Sequence, residues 1–279
     1  MATLDIVTTR PSGDSHADGK AYFETSTNQF IVWDATADAW IQLDSDGTGA
    51  VPFQNRWGAS FDGSNDYLDI SSASSAVSGQ ADFSISFWYY ATTHPGRLIG
   101  AGTASGNRIN ISQPNSTFYF GVSSGPTATA PSLNAWHHIV CVKSGTTGNI
   151  YIDGNLEGTA SNLVATTSSN QGDDFSIGRL PFLNDYGNAK FDEVAIFDTA
   201  LDQAAVTALY GASPNAGIPS EVTGAVGYWR MGDDSNDSAT SSGSIATITD
   251  SSGNGNHATQ SDTTSQPTFA DLTGETIYS

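Results

Sequence analysis

Residues 134–158 read NAWHHIVCVKSGTTGNIYIDGNLEG. Trp136 to Lys143 reads as a strand, and Asn149-Ile150-Tyr151-Ile152 as a second one. Asp153-Gly154 then joins the second to a return at Asn155-Leu156-Glu157-Gly158. Asp-Gly between strands is a strong hairpin signal, because the turn needs positive φ. Outward toward the N-terminus lie Phe118-Tyr119-Phe120-Gly121-Val122 and Phe83-Ser84-Ile85-Ser86-Phe87-Trp88-Tyr89-Tyr90. The latter alternates, with Phe83, Ile85, Phe87 and Tyr89 on one face. Ser60 to Ile70 opens the run, and Phe175 to Gly178 and Lys190 to Phe197 close it. One helix follows at Asp202 to Tyr210, with an acidic start, alanine-rich propensity and Gly211 as its stop. Strands spaced by polar turns, without helices between them, imply an all-β, two-sheet antiparallel sandwich.

Composition agrees. The chain of 279 residues is rich in glycine and in small polar residues, and only 14% of it is charged. Acidic residues outnumber basic ones 29 to 9, a formal net charge of −20. Nucleic acid is excluded as a partner, because phosphate binding needs clustered Lys and Arg. An anionic membrane is disfavoured for the same reason. The charge suits a protein kept soluble at high local density, and it suits bound Ca²⁺. Cys141 is the single cysteine, so there is no intramolecular disulfide; within its strand it reads as a buried thiol rather than a nucleophile. Met1 to Asp5 shows no basic region leading into an apolar stretch, and no apolar run approaches membrane-spanning length. The expectation is synthesis in a host cytoplasm without a signal peptide.

Three regions emerge. Residues 1–50 form a β-meander, with strands at Lys20 to Thr25, Gln29 to Asp34 and Ala39 to Leu43 and a linker at Asp44 to Gly49. It is too small to be stable alone and must dock on something. Residues 51–212 hold the sandwich, and residues 213–279 form a C-terminal extension whose last part, 259–279, reads as a polar tail.

Four segments together resemble the laminin-G-like branch of the concanavalin-A-like lectin/glucanase superfamily. They are SFDGSNDYLDI (60–70), DFSISFWYY (82–90), the stretch 134–158, and GNAKFDEVAIFDTALDQAAVTALY (187–210). The resemblance spans about 150 residues in order and spacing. It implies a jelly-roll sandwich, and it implies glycan, protein or Ca²⁺ binding. It also implies a metal position tying first and last strands at Asp62, Gly63 and Asp192, with Asn65 and Asp66 contributing. Asx-turns are the alternative for Asp62, Asn65 and Asp66. One feature departs from the pattern. The strand and loop that usually open the domain stand here after the helix, at Val226 to Asp233 and Asp250 to His257. They return to their own sandwich, complete a neighbour's by strand exchange, or begin a truncated second domain; self-completion is the preferred reading. Separately, KAYFETSTNQFIVWDATADAWIQL (20–43) resembles a module near the N-termini of phage tail-fibre and virion structural proteins.

The chemistry argues for binding. Sandwich glucanases that resemble this fold carry Glu-x-Asp-x-x-Glu, and glycoside hydrolysis needs two carboxylates at fixed separation. The five glutamates, Glu24, Glu157, Glu193, Glu221 and Glu275, show no such spacing. Asp192 and Glu193 are adjacent, so on a regular strand they face opposite ways. His137-His138 read as structural. The acidic loop Asp233 to Asp237 reads as solvated. Trp88, Tyr90, Tyr119 and Tyr186 are candidate sugar platforms, each equally suited to packing, and no sugar identity is readable. The expectation is a non-enzymatic virion structural protein, a capsid decoration or a fibre, that binds host-surface glycan. Its partners would be other capsid or tail proteins, and it would be homo-oligomeric, a trimer if it is a fibre. The alternative is a bacterial cell-surface or secreted adhesion module.

Overall fold

The computed structural model describes residues 57–102, 109–121, 125–161, 163, 175–212, 218–219, 222–234, 236–237 and 243–272, and four strands before residue 57. The linker at Asp44 to Gly49 and the last seven residues lie outside the described residues. The chain divides into two compact units, residues 1–55 with 213–217, and residues 56–212 with 218–279.

The first unit is a four-stranded sheet in sequential order, β1 (Asp5–Val7), β2 (Ala21–Glu24), β3 (Gln29–Asp34) and β4 (Ala39–Leu43). β1 runs parallel to β2, and the other pairs are antiparallel.

The second unit begins with β5 (Trp57–Asp62), β6 (Leu68–Asp69), β7 (Asp82–Tyr90), β8 (Gly96–Ala101), β9 (Ile109–Gln113), β10 (Thr117–Gly121) and β11 (Thr127–Thr129). It continues with β12 (Trp136–Ser144), β13 (Thr147–Ile152), β14 (Asn155–Ser161), β15 (Phe175–Ile177), β16 (Arg179–Leu180), β17 (Asp185–Tyr186) and β18 (Asn188–Phe197). Helix α1 (Gln203–Gly211) follows, then β19 (Ala225–Trp229), β20 (Thr247–Ile248), β21 (Ala258–Thr259) and β22 (Thr268–Asp271).

These strands make the two-sheet antiparallel sandwich that the alternation predicts. One sheet runs β14-β13-β12-β7-β18-β5-β22, with β19 also paired to β18. The other runs β11-β10-β9-β8-β15-β6-β21-β20. The segment 60–70, which reads as one strand, is two. β5 and β6 belong to different sheets, because the loop after Asp62 carries the chain across.

Period-two alternation sends Phe83, Ile85, Phe87 and Tyr89 inward, where they meet Phe118, Phe120, Ile109 and Ile111 of the facing sheet. Phe61 and Phe191 pack edge-on in the same core at 5.2 Å. The hairpin turn at Asp153-Gly154 has φ of 50° and 78°, as its residues require. Asp202 caps α1 by accepting the Ala205 N–H at 2.9 Å.

The segment after the helix returns to this same sandwich. β19 pairs with the second half of β18, β21 with β6, and β22 with β5. Trp229 is fully buried, and its indole N–H donates to the Asn256 carbonyl at 2.8 Å. Of the polar stretch from residue 259, Thr268–Asp271 pair with the edge of β5 as β22.

Candidate functional site

The loop after β5 gathers four of the five residues expected to ligate a metal. Asp62 Oδ1 accepts N–H bonds from Ser64 (2.8 Å) and Asn65 (3.3 Å), an Asx-turn. Asp66 Oδ2 accepts the Asp62 N–H at 3.0 Å. Burial pushes the Asp66 carboxyl up to about 6, against the pull of that N–H, with the Asp62 charge adding to the rise. Asn65 Nδ2 donates to the Thr264 carbonyl at 2.5 Å, and Gly63 holds φ at 77° against Asn188. Asp192 does not join them. Asn188 is the residue of β18 paired with Asp62. Asp192 lies four positions further along, roughly 13 Å at strand rise. The donor set therefore does not fit one ion, and among the described residues no group of three or more His, Cys, Asp or Glu is placed to hold a metal.

Asp192 sits beside a different cation. The register of β18 shifts between Asp192 and Ala195, and Glu193 takes a left-handed φ of 48°. At this bulge, side chains do not alternate as on a regular strand. Glu193 Oε2 accepts the Tyr228 hydroxyl, and Arg230 Nε lies 3.6 Å from Oε1. Burial pushes Glu193 from 4.5 up to about 7, while Tyr228 and Arg230 pull it back and Asp233 adds to the rise. Burial pulls Arg230 down, yet the charges of Glu193, Tyr228, Asp233 and Asp192 outweigh it and hold Arg230 above its ordinary value. The alternation argument against an Asp192–Glu193 acid/base pair therefore fails here. Both carboxyls are nonetheless withdrawn from solvent, Asp192 fully buried and the Glu193 side chain only 10% exposed.

The two histidines of β12 do face opposite ways. His138 is buried between Trp88 and Tyr210, and its Nε2 lies 2.9 Å from Ser86 Oγ. Burial pushes it down to about 3, so it is neutral. His137 sits at the sandwich rim. Its Nδ1 lies 2.7 Å from Asp153 Oδ2, and its Nε2 lies 3.0 Å from Ser132 Oγ. Spacing could not show this chain, because its members come from a loop, a strand and a turn. Cys141 is buried and its thiol is pushed up by burial.

Among the four aromatic candidates, Trp88 is a packing residue, stacked on Tyr210 at 5.8 Å and only 4% exposed. Tyr90 packs against Trp136, with the Lys190 ammonium 5.1 Å from its ring. Tyr186 lies on the separate β16-β17 pair, and Tyr119 on the outer side of the other sheet. There the register aligns Gly121, Asn110, Gly100, Ser176, Asp69, Thr259 and Thr247 in one row across seven strands. A second row runs Tyr119, Ser112 and Arg97. Their neighbours along each strand fill the core, so these rows face away from it.

A hairpin stands on this face. β16 and β17 pair across a short 3-10 turn at Pro181–Leu183 and lie directly over Gly100, where a Cβ would meet the Arg179 carbonyl at 2.6 Å. The Arg179 guanidinium lies 3.5 Å over the Tyr67 ring, and Tyr67 and Tyr186 are 6.5 Å apart. Arg97 Nε donates to Asp185 at 2.7 Å, and a second Arg97 N–H reaches Asn110 at 3.4 Å. The Tyr186 hydroxyl donates to Asn184 at 2.7 Å. Partly exposed rings beside rigid, planar hydrogen-bonding groups are what recognition of a sugar ring requires.

A profile described as the concanavalin A-like lectin/glucanases superfamily matches residues 62–207, more than half of the chain. No curated protein matches. Among solved structures, a candidate carbohydrate binding protein from Bacteroides ovatus is similar at 14% identity and a TM-score of 0.57, covering 94% of this chain and 72% of that one. A heptameric SAP-like pentraxin from Limulus polyphemus matches at 16% identity and 0.44, covering 56% and 82%. The mouse laminin alpha1 chain domains LG4-5 match at 18% and 0.40, covering 59% and 46%.

Proposed function

Because the chain belongs to the concanavalin A-like lectin/glucanases superfamily, we propose that it is a carbohydrate-binding module that leaves glycosidic bonds intact. The observation that carries this reading is the hairpin site, where Tyr67, Tyr186, Arg179, Arg97 and Asn110 converge on the outer face of one sheet. The rings offer a stacking surface and the guanidiniums offer fixed forks to hydroxyl or acidic groups. The buried state of Asp192 and Glu193 supports binding over hydrolysis.

The module is displayed on a phage particle, as a capsid decoration or a fibre, and binds host-surface glycan. The N-terminal meander is its attachment unit, and the excess of acidic residues keeps it soluble at high copy number. Calorimetric titration with host surface polysaccharide tests the binding. Saturable heat that Tyr186→Ala removes is the expected result, and no heat with any host polysaccharide overturns it. Mass spectrometry of purified particles tests the location, and absence from them leaves a bacterial adhesion module. Both readings share the carbohydrate binding by which the Bacteroides ovatus structure is described.

A further inference from the structure

Ser132, His137 and Asp153 form a hydrogen-bonded chain at the rim of the sandwich, away from the hairpin site. Ser132 lies on the loop between β11 and β12 and is exposed. His137 is the second residue of β12, with a side chain 14% exposed. Asp153 opens the turn between β13 and β14. Ser132 Oγ is 3.0 Å from His137 Nε2, and His137 Nδ1 is 2.7 Å from Asp153 Oδ2.

The direction of each bond follows from the chemistry. An ionised carboxylate only accepts, so Nδ1 carries the imidazole proton when the ring is neutral. Nε2 then presents its lone pair, and Ser132 donates its hydroxyl proton to it. The carboxylate cannot turn away, because its other oxygen accepts the His138 N–H at 2.9 Å while the Asp153 N–H donates to the His138 carbonyl at 2.8 Å. A nucleophile touches a base, and the base is oriented by a third group. This constellation is defined by geometry and roles rather than by sequence order or a motif. GVSSG at 121–125 spells the hydrolase motif G-x-S-x-G, but it lies between β10 and β11 rather than between a strand and a helix, and Ser132 is outside it.

We propose that Ser132 is a base-activated nucleophile that removes small acyl groups, such as acetyl, from esters. Ser132 Oγ bonds to the acyl carbon as its proton passes to His137 Nε2. The bond between that carbon and the alcohol oxygen breaks, and the alcohol takes the proton from His137. Water then cleaves the acyl-serine by the same route and restores the hydroxyl. Asp153 holds the tautomer and steadies the imidazolium, as a positioning residue. The open rim suits an acyl group carried on a large polymer. That the polymer is a glycan rests on the function proposed above, whereas the esterase chemistry does not.

The test uses the full chain with p-nitrophenyl acetate and with a fluorophosphonate probe read by peptide mass spectrometry. The expected result is a single adduct on Ser132 and ester hydrolysis that falls on the order of 10²-fold or more in Ser132→Ala. Asp153→Asn is the second variant. Asn-Gly suits the same turn, so the hairpin survives, but the side chain no longer fixes the tautomer. It should retain the melting temperature and host-polysaccharide binding and lose most of the hydrolysis. No adduct on Ser132, or hydrolysis unchanged in Ser132→Ala, overturns the proposal. Polysaccharide binding that persists in that case leaves the binding function standing.

Discussion

Arg230 brings its guanidinium within 3.6 Å of the Glu193 carboxylate, across the seam where β19 meets β18. Glu193 stands at a bulge and Arg230 just past the strand that returns after the helix, so this pair links the rearranged C-terminal segment to the sandwich. Asp192, on the same bulge, also acts on Arg230 through its charge.

The first prediction concerns pH. Burial holds Glu193 at about 7 in the fold, against 4.5 for the free group. The folded chain keeps a proton that the unfolded chain releases within that window. Stability from this group is therefore full below its ordinary value and declines as pH rises through about 7. The drop is on the order of 3 kcal/mol. Thermal melts of the native chain should fall across this window, and Glu193→Gln should flatten most of the slope. Asp66, raised to about 6, contributes in the same direction, while the neutral His138, pushed down from 6.5 to about 3, contributes in the opposite one, so the two largely offset each other in the variant. A variant as steep as the native chain would refute this account.

The second prediction removes the other partner. Arg230→Met deletes the charge that offsets the buried Asp192 and Glu193, and should cost about 3–5 kcal/mol. The double variant Arg230→Met, Glu193→Gln should be more stable than the sum of the two single effects, because the two groups interact directly. Chemical denaturation of all four proteins measures the coupling, and strict additivity would mean the seam is held elsewhere.

Much of the sandwich is legible in the sequence because its signals are local. The alternation from Phe83 to Tyr89 assigns a core face, and Asp153-Gly154 fixes a turn. The strand at 96–101 carries two glycines and no alternation, and the one at 109–113 alternates Ile109 and Ile111 with Asn110 and Ser112 only briefly; the two are fixed by pairing with each other. The bulge at Glu193 is invisible because a non-glycine residue adopts the left-handed region there, and nothing nearby marks it. The hairpin site draws Tyr67, Arg97 and Tyr186 from three separated segments, so spacing could nominate Tyr186 but not its neighbours.

Lys143 carries the third prediction. It is 1% exposed, and its ammonium donates to the carbonyls of Gln80 (3.2 Å), Ala81 (2.6 Å) and Gly145 (2.7 Å). Desolvation lowers its pKa, opposed by Asp82. Lys143→Met keeps the aliphatic stem but leaves these carbonyls without their shared donor. The expected loss is about 1–3 kcal/mol by denaturant titration, and an unchanged midpoint would show that water replaces the ammonium without cost.

The fourth prediction separates the hairpin's position from the stability of the whole. At Gly100 a Cβ would stand 2.6 Å from the Arg179 carbonyl oxygen and 2.9 Å from the Leu180 Cα. These are backbone atoms and cannot swing aside, so Gly100→Ala must lift the hairpin from the sheet. Lifting it separates Arg179 and Tyr186 from Asn110 and Arg97, which stay with the strands beneath. Host-polysaccharide affinity should fall about tenfold or more, a change of about 1.4 kcal/mol, while the strain costs about 1–3 kcal/mol of stability. Gly211→Ala is the matched control, since a Cβ there meets nothing within 4 Å. Because it adds the same methyl group at the end of α1, it should leave binding unchanged. Equal affinity in both variants would place the sugar away from the hairpin, on the Tyr90 and Lys190 side of the opposite sheet.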